Sequence, residues 1–185
     1  MSRAMKRILG LCGLPGAGKT VVASLLAGLG HPVVTMGDAI RDLAKERGLP
    51  ITRDNLAALM TDIRRAEGEG AVAKHCMHKV RALNSPVVVV DGLRSLKEVE
   101  EFKKFFHIFT VAILSSRETR FRRLSARSRE DDPTLFEELV KRDEKELALG
   151  LDRLMVLSNF FLVNEGTKEH LLEEVKAVLE RTGVE

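Results

Sequence analysis

Apolar residues fall into two alternating patterns along this chain: short unbroken runs, and stretches where they recur every three or four positions. The runs Ile8-Leu9-Gly10-Leu11-Cys12, Val33-Val34-Thr35, Val87-Val88-Val89-Val90, Ile108 to Leu114 and Phe160-Phe161-Leu162-Val163 read as strands. The four valines are apolar on both faces, so they belong inside a covered parallel sheet. Helical spacing fills the intervals. Val21 to Leu29 forms one helix. Residues 39–83 form a helical insertion: one helix follows Asp38, which sits near its cap, and stops at Gly48-Leu49-Pro50. Thr52 caps the next, with Leu56, Leu59, Met60 and Ile63 on one face; Gly68 and Gly70 interrupt it before Ala71 to Leu83 resumes. Ser95-Leu96-Lys97-Glu98 is a capping box. Ser116 opens an arginine-rich helix to about Arg127, and Asp132-Pro133 opens a long helix to about Leu149 with proline at its first position. Thr167 caps a closing helix.

Strands alternating with helices predict a doubly wound α/β sheet of five strands, and 185 residues suit one domain. Ligands in such sheets bind beyond the carboxyl ends of the strands. Those ends carry Gly13 to Thr20, Asp38, Asp91, Ser115-Ser116 and Asn164.

The first of these stretches sharpens the picture. Gly13-Leu14-Pro15-Gly16-Ala17-Gly18-Lys19-Thr20 fits G-x-x-x-x-G-K-[ST], and it lies between a strand and a helix as a phosphate-binding loop requires. Its glycines let backbone N–H groups converge on one concavity at the positive end of a helix. Lys19 supplies a charge for β- and γ-phosphates, and the Thr20 hydroxyl can ligate Mg²⁺. Asp91, at the end of the valine strand, stands where a second metal-holding group belongs. Asp38 and Arg41 are three apart at a helix start and share a face. An arginine there opposes the helix dipole, which an anionic ligand would explain.

Six arginines lie between Arg117 and Arg129. Arg117, Arg120 and Arg122 read as a solvated helix face. Arg127 and Arg129 differ: they fall where one helix ends and another begins, beside Glu130, Asp131 and Asp132. With Arg142 they could neutralise a transferring phosphoryl group.

Composition narrows the field. A net charge of +3 with no Trp or Tyr argues against a stacking nucleic-acid partner, although the pI of 9.0 is basic. Cys12 and Cys76 are far apart, which suits a reducing compartment and opposes a disulfide framework or a zinc site. No apolar run reaches the ~18 residues of a membrane span. The basic start leads straight into a strand, so the expectation is a cytoplasmic protein without a membrane partner. His75 and His78 are three apart on a helix, where surface or packing roles are the better reading, and no G-x-S-x-G elbow is present. Composition sets no oligomeric state.

Three stretches carry a family resemblance: Gly13 to Thr20, Met36-Gly37-Asp38-Ala39-Ile40-Arg41, and Arg127 to Asp132 followed by Arg142. They resemble the phosphate loop, the monophosphate-site G-D-x-x-R and the short lid of adenylate/UMP-type kinases. Most of residues 6–180 also resembles an archaeal group of nucleotide-kinase-like proteins related to dephospho-CoA kinase. There, Val90-Asp91-Gly92-Leu93-Arg94-Ser95, Arg129-Glu130-Asp131-Asp132-Pro133 and Val163-Asn164-Glu165-Gly166 are similar. The resemblance implies a P-loop fold with strand order 2-3-1-4-5, an acceptor-binding insert at 39–83 and a zinc-free lid at about 125–134. It implies that Gly37, Asp38, Arg41 and Arg94 hold the acceptor, that Arg127, Arg129 and Arg142 approach the donor phosphates, and that Asn164 and Gly166 lie near the donor base. Two departures stand out. Adenylate kinases have D-G-F-P-R, whereas Arg94 comes one residue sooner here, and the lid arginines are closer together than in UMP kinases.

The resulting expectation is an ATP- and Mg²⁺-dependent kinase acting on a nucleoside monophosphate or dephospho-CoA, with Asp38 orienting the attacking oxygen. A nucleotide-dependent regulatory ATPase and an RNA-associated P-loop protein are the alternatives.

Overall fold

The computed structural model describes residues 5–127 and 132–183. Strands β1 (Arg7–Cys12), β2 (Val33–Thr35), β3 (Val87–Leu93), β4 (His107–Leu114) and β5 (Phe160–Val163) pair in parallel in the order β2-β3-β1-β4-β5. That is the P-loop NTPase-like α/β sheet expected from the sequence. Because β1 lies between β3 and β4, the chain leaves it towards both edges, and a crevice opens beyond the carboxyl ends.

The helices are α1 (Lys19–Gly28), α2 (Met36–Glu46), α3 (Arg53–Glu67), α4 (Ala71–Ala82), α5 (Leu96–Lys103), α6 (Arg117–Arg127), α7 (Phe136–Ala148), α8 (Leu151–Val156) and α9 (Lys168–Thr182). Successive strand residues point to opposite faces, and β3 divides accordingly. Val88 and Val90 join Ile40, Ile63, Val80, Phe102 and Leu154 in the layer under α2, α3, α4, α5 and α8. Val87 and Val89 join Val22, Leu26, Leu171 and Val175 in the layer under α1 and α9. The valine run is thus buried on both sides, which is why it shows no polar alternation.

Several helix starts follow the sequence: Thr52, Ser95 and Thr167 each accept from a first-turn N–H. Two do not. Thr35 caps α2 by accepting from the Asp38 N–H at 3.3 Å, so Asp38 lies within the first turn. β2 runs directly into α2, and Thr35 keeps the extended backbone a capping residue needs. The long helix starts at Phe136 rather than Pro133, because the Glu138 carboxylate accepts from the N–H groups of Thr134 and Leu135 at 2.8 and 3.1 Å. The short α8 was not expected; Gly150, with φ of +91°, separates it from α7. Among the described residues no helix is long and apolar enough to cross a membrane.

Phe102 is fully buried between α5 and the sheet. Phe102→Ala should cost about 3–5 kcal/mol in urea denaturation with an unchanged slope. A loss below about 1 kcal/mol would contradict this packing.

Candidate functional site

At the end of β1 the chain turns through Gly13 to Gly18 and enters α1. Gly18 is the N-cap, with φ of +101° in the left-handed region, and a Cβ there would lie 2.0 Å from Asn164 Nδ2. The Gly18 N-cap offers no side chain to cap α1, and no acid sits in its first turn. Its leading N–H groups and positive dipole end are the kind of place where an anion can sit. Lys19 Nζ donates to the Gly13 and Leu14 carbonyls at 2.7 and 3.3 Å, which holds the ammonium over the loop. Burial lowers the Lys19 pKa, while Asp91 and Glu146 oppose that shift.

Asp91 reaches the same place from β3. It pairs in register with Leu11, yet the next β1 residue, Cys12, pairs with Leu93. Gly92 is the extra residue, with φ of +102°, and this bulge swings the following chain towards the loop. Asp91 Oδ1 is sealed from solvent and has no hydrogen-bond donor among the described residues. Burial raises the carboxyl pKa, with Lys19 and Arg94 pulling it down. Such an oxygen is costly to leave without a partner, and a cation beside it would remove that cost.

A cleft of about 450 Å³ opens over the loop, lined by Lys19, Arg94, Arg123, Arg127, Arg142 and Glu146 among others. Each guanidinium has a holder. Arg94 Nε lies 2.9 Å from Glu146 Oε2, and the Arg94 backbone N–H donates at 2.7 Å to the buried Glu98. Arg127 Nε donates to Asp132 at 2.9 Å, with a second contact from its Nη2. Arg142 Nη1 lies 3.9 Å from that same carboxylate. Arg123 donates to Ser115 Oγ at 3.0 Å and to the Asn164 carbonyl at 2.9 Å.

Beneath the cleft two braces hold the loop. Arg120 donates to Pro15 O at 3.1 Å and grips Asp143 of α7 with two bonds of 2.8 and 2.7 Å; both side chains are 3% exposed. Asn164 Nδ2 donates to Ala17 O at 2.8 Å. Next to Asn164, Glu165 accepts from Ser115 Oγ, Ser116 N–H and Thr119 Oγ1, which pulls its carboxyl pKa down to about 2.

The structure brings together most, not all, of the residues singled out in the sequence. Gly13, Pro15, Gly16, Gly18, Lys19 and Thr20 line the cleft with Arg94, Arg127 and Arg142. Leu14 packs against the core, and Ala17 is buried beneath the loop. Asp38 and Arg41 pair with each other at 2.7 Å, about half exposed, and do not line the cleft. Gly37 lies exposed beside the Arg41 guanidinium. Arg129 lies outside the described residues, as do the other members of 128–131 in the expected lid. Asn164 is turned under the loop and Gly166 is exposed.

Arg120 corrects the expectation of a solvated face. It lies four residues before Leu124, a fully buried residue of α6, so it shares the inward side. Arg123 and Glu146 were not anticipated. Arg123 stands four residues before Arg127, on the same face. Glu146 stands in the last turn of α7, where the helix dipole disfavours an acid. His75 pairs with Glu67 at 3.0 Å, and no group of three or more metal-capable His, Cys, Asp or Glu residues occurs among the described residues. Both cysteines are buried, and burial pushes the Cys76 thiol up to about 12.

A family model described as "AAA domain" matches residues 9–148. The chain is 39% identical over 181 residues to a UPF0200 protein of Hyperthermus butylicus, covering 98% of this chain and 97% of that one. It is 46% identical over 177 residues to a UPF0200 protein of Pyrococcus furiosus, covering 93% and 95%. Among solved structures it is similar to TT1252 from Thermus thermophilus, with a TM-score of 0.70, 24% identity, and 96% and 98% of the two chains covered. It is also similar to shikimate kinase from Bacteroides thetaiotaomicron, with a TM-score of 0.60, 18% identity, and 96% and 99% covered. At these identities the structural likeness is one of fold, shared with small-molecule P-loop kinases rather than specifically with adenylate or dephospho-CoA kinases.

Arg120→Met should cost about 3–5 kcal/mol in urea denaturation, because it removes both bonds to the buried Asp143 and leaves only Arg117, 3.8 Å away and half exposed, beside that carboxylate. Arg120→Met with Asp143→Leu should recover most of that loss. A single variant as stable as the parent would rule out the brace. Glu165 gives a pH prediction. Its folded pKa is depressed from 4.5 to about 2, so its contribution is present above 4.5 and is lost as pH falls through about 2. Carboxyl NMR should find its midpoint near the lower value; a midpoint near 4.5 would refute the bonding seen here.

Proposed function

The chain belongs to the UPF0200 family, and on that footing we propose that it is an ATP- and Mg²⁺-dependent kinase for a small phosphate-bearing or nucleotide-like acceptor. A nucleoside monophosphate or dephospho-CoA is the acceptor class. The observation that carries the reading is the cleft itself. Lys19 and four arginines line one space over an uncapped helix start, with the buried Asp91 beside it. Such a concentration of donors suits a polyphosphate, whose charge these groups neutralise as the phosphoryl group moves.

In this reading the N–H groups of Gly16 to Thr20 and Lys19 hold the donor's β- and γ-phosphates. Arg123, Arg127 and Arg142 surround them from α6 and α7, and the family resemblance assigns Arg129 the same role. Arg94 meets the acceptor's phosphate, and Arg41 completes that grip from its exposed place beside Asp38. Asp38 orients the attacking oxygen and takes its proton where the acceptor is a hydroxyl. A phosphate acceptor needs no such base. The turn at Asn164 to Gly166 lies below the donor end, where Asn164 fixes the loop through Ala17.

The residues present fit Mg²⁺. Thr20 is exposed in the first turn of α1, and Asp91 Oδ1 has no hydrogen-bond donor among the described residues. Two protein oxygens suit an ion that takes its remaining ligands from phosphates and water. When bound, Mg²⁺ supplies charge neutralisation at the phosphoryl oxygens.

The test is product mass after incubating the full chain with ATP, Mg²⁺ and, separately, AMP, CMP, UMP or dephospho-CoA. One acceptor should gain a phosphoryl group, and Lys19→Met should reduce the rate at least about 10²-fold. ATP hydrolysis that no acceptor accelerates would reject transfer and leave the regulatory ATPase reading.

A further inference from the structure

We propose that Glu146 is the counter-ion an incoming phosphate must displace from Arg94, and that it thereby sets affinity and charge selectivity at the acceptor end of the cleft. The inference rests on reading the cleft as phosphate-binding, and deepens it.

Among the described residues lining this space, Glu146 is the only acid. Its position in the last turn of α7 is electrostatically unfavourable for the helix, so its charge must be balanced elsewhere. The balance comes from Arg94, 2.9 Å away on the chain leaving β3. One ion pair therefore spans the cleft, joining the strand end that carries Asp91 to the helix that carries Arg142.

Accessibility decides what this pair can do. The Arg94 and Glu146 side chains are 36% and 18% exposed, against 3% for each partner of the Arg120–Asp143 brace. A solute can reach the first pair and cannot reach the second. The Arg94 main chain is also fixed independently, since the buried Glu98 accepts its N–H at 2.7 Å. An exchange of partners at the guanidinium thus leaves the backbone in place. A phosphate dianion offers two oxygens in the geometry the guanidinium fork prefers, with twice the charge of the carboxylate. A neutral acceptor offers no charge with which to compete. The displaced Glu146 carboxylate then faces Lys19, whose ammonium already feels its field. Doubly charged phosphate acceptors are admitted, and uncharged or singly charged analogues are held out by the resident acid.

Calorimetric titration with inorganic phosphate at low ionic strength tests this in the full chain. Glu146→Gln should bind phosphate about fivefold more tightly, equivalent to about 1 kcal/mol, and added salt should shrink the gain. A residue with a merely structural role would weaken binding when replaced. The gain should vanish when Arg94→Met is also present; a gain that persists there, or weaker or unchanged binding by Glu146→Gln alone, overturns the inference. The unaltered protein gives a readout independent of any variant: the Arg94 Nε–H NMR signal should shift as phosphate is added. ATP binding with that signal unmoved by phosphate overturns this inference alone. Failure to bind either ATP or phosphate overturns the reading of the cleft and this inference with it.

Discussion

Cations gathered around one small space repel each other, and the whole arrangement depends on how that repulsion is held in check. Lys19 leans on two loop carbonyls, Arg94 on Glu146, Arg123 on Ser115 and Asn164, and Arg127 with Arg142 on Asp132. The part-exposed Arg94–Glu146 pair contributes only about 0–1 kcal/mol, and Lys19 and Arg123 rest on neutral groups. Their effect is positional. They keep donors aimed at the cleft that would otherwise spread into solvent.

Burial separates the fixed parts of this system from the exchangeable ones. The Arg120–Asp143 pair is sealed, bidentate and bonded to the loop at Pro15. Removing either partner strands a charge, so the pair behaves as a permanent strut between α6, α7 and the loop. Glu98 does the same for the Arg94 backbone, and Asn164 for Ala17. Among the guanidinium groups that line the cleft, Arg94 has a partner that water reaches, Glu146 at 18% exposed, whereas the Asp132 side chain held by Arg127 is 3% exposed. A rigid frame beneath and an exchangeable pair above is what a preorganised anion site requires.

How much of this could be read from the residues depends on whether the signal was local. The phosphate loop was legible because its glycines, lysine and threonine act through the backbone on which they sit. The four valines were legible because two-sided burial leaves no polar alternation. The strand order came from the family resemblance; periodicity alone does not give it. The start of α2 was placed after Met36-Gly37-Asp38, because Thr35 ends β2 and caps α2 at once, a double duty that no spacing reveals. Arg120 was hidden in a run of arginines, and only its relation to Leu124 marked the buried face. Glu146 was missed for a different reason. Its partner is 52 positions away in the chain, and only the fold brings them together.

Arg94 follows Asp91 across the Gly92 bulge. Register between β1 and β3 slips by one residue there, so Asp91 stays opposite Leu11 while Leu93 comes opposite Cys12. Without the slip, alternation along the strand would carry the following side chains to the opposite faces. With it, Asp91 is buried beside Lys19 and Arg94 reaches α7 across the cleft. In the proposed kinase, the metal-side acid and the acceptor-side arginine are therefore set by a single backbone irregularity. The Arg94–Glu146 pair then ties that strand end to α7. In that reading, binding of an acceptor phosphate at Arg94 and release of the pair are one event, because the same guanidinium serves both contacts.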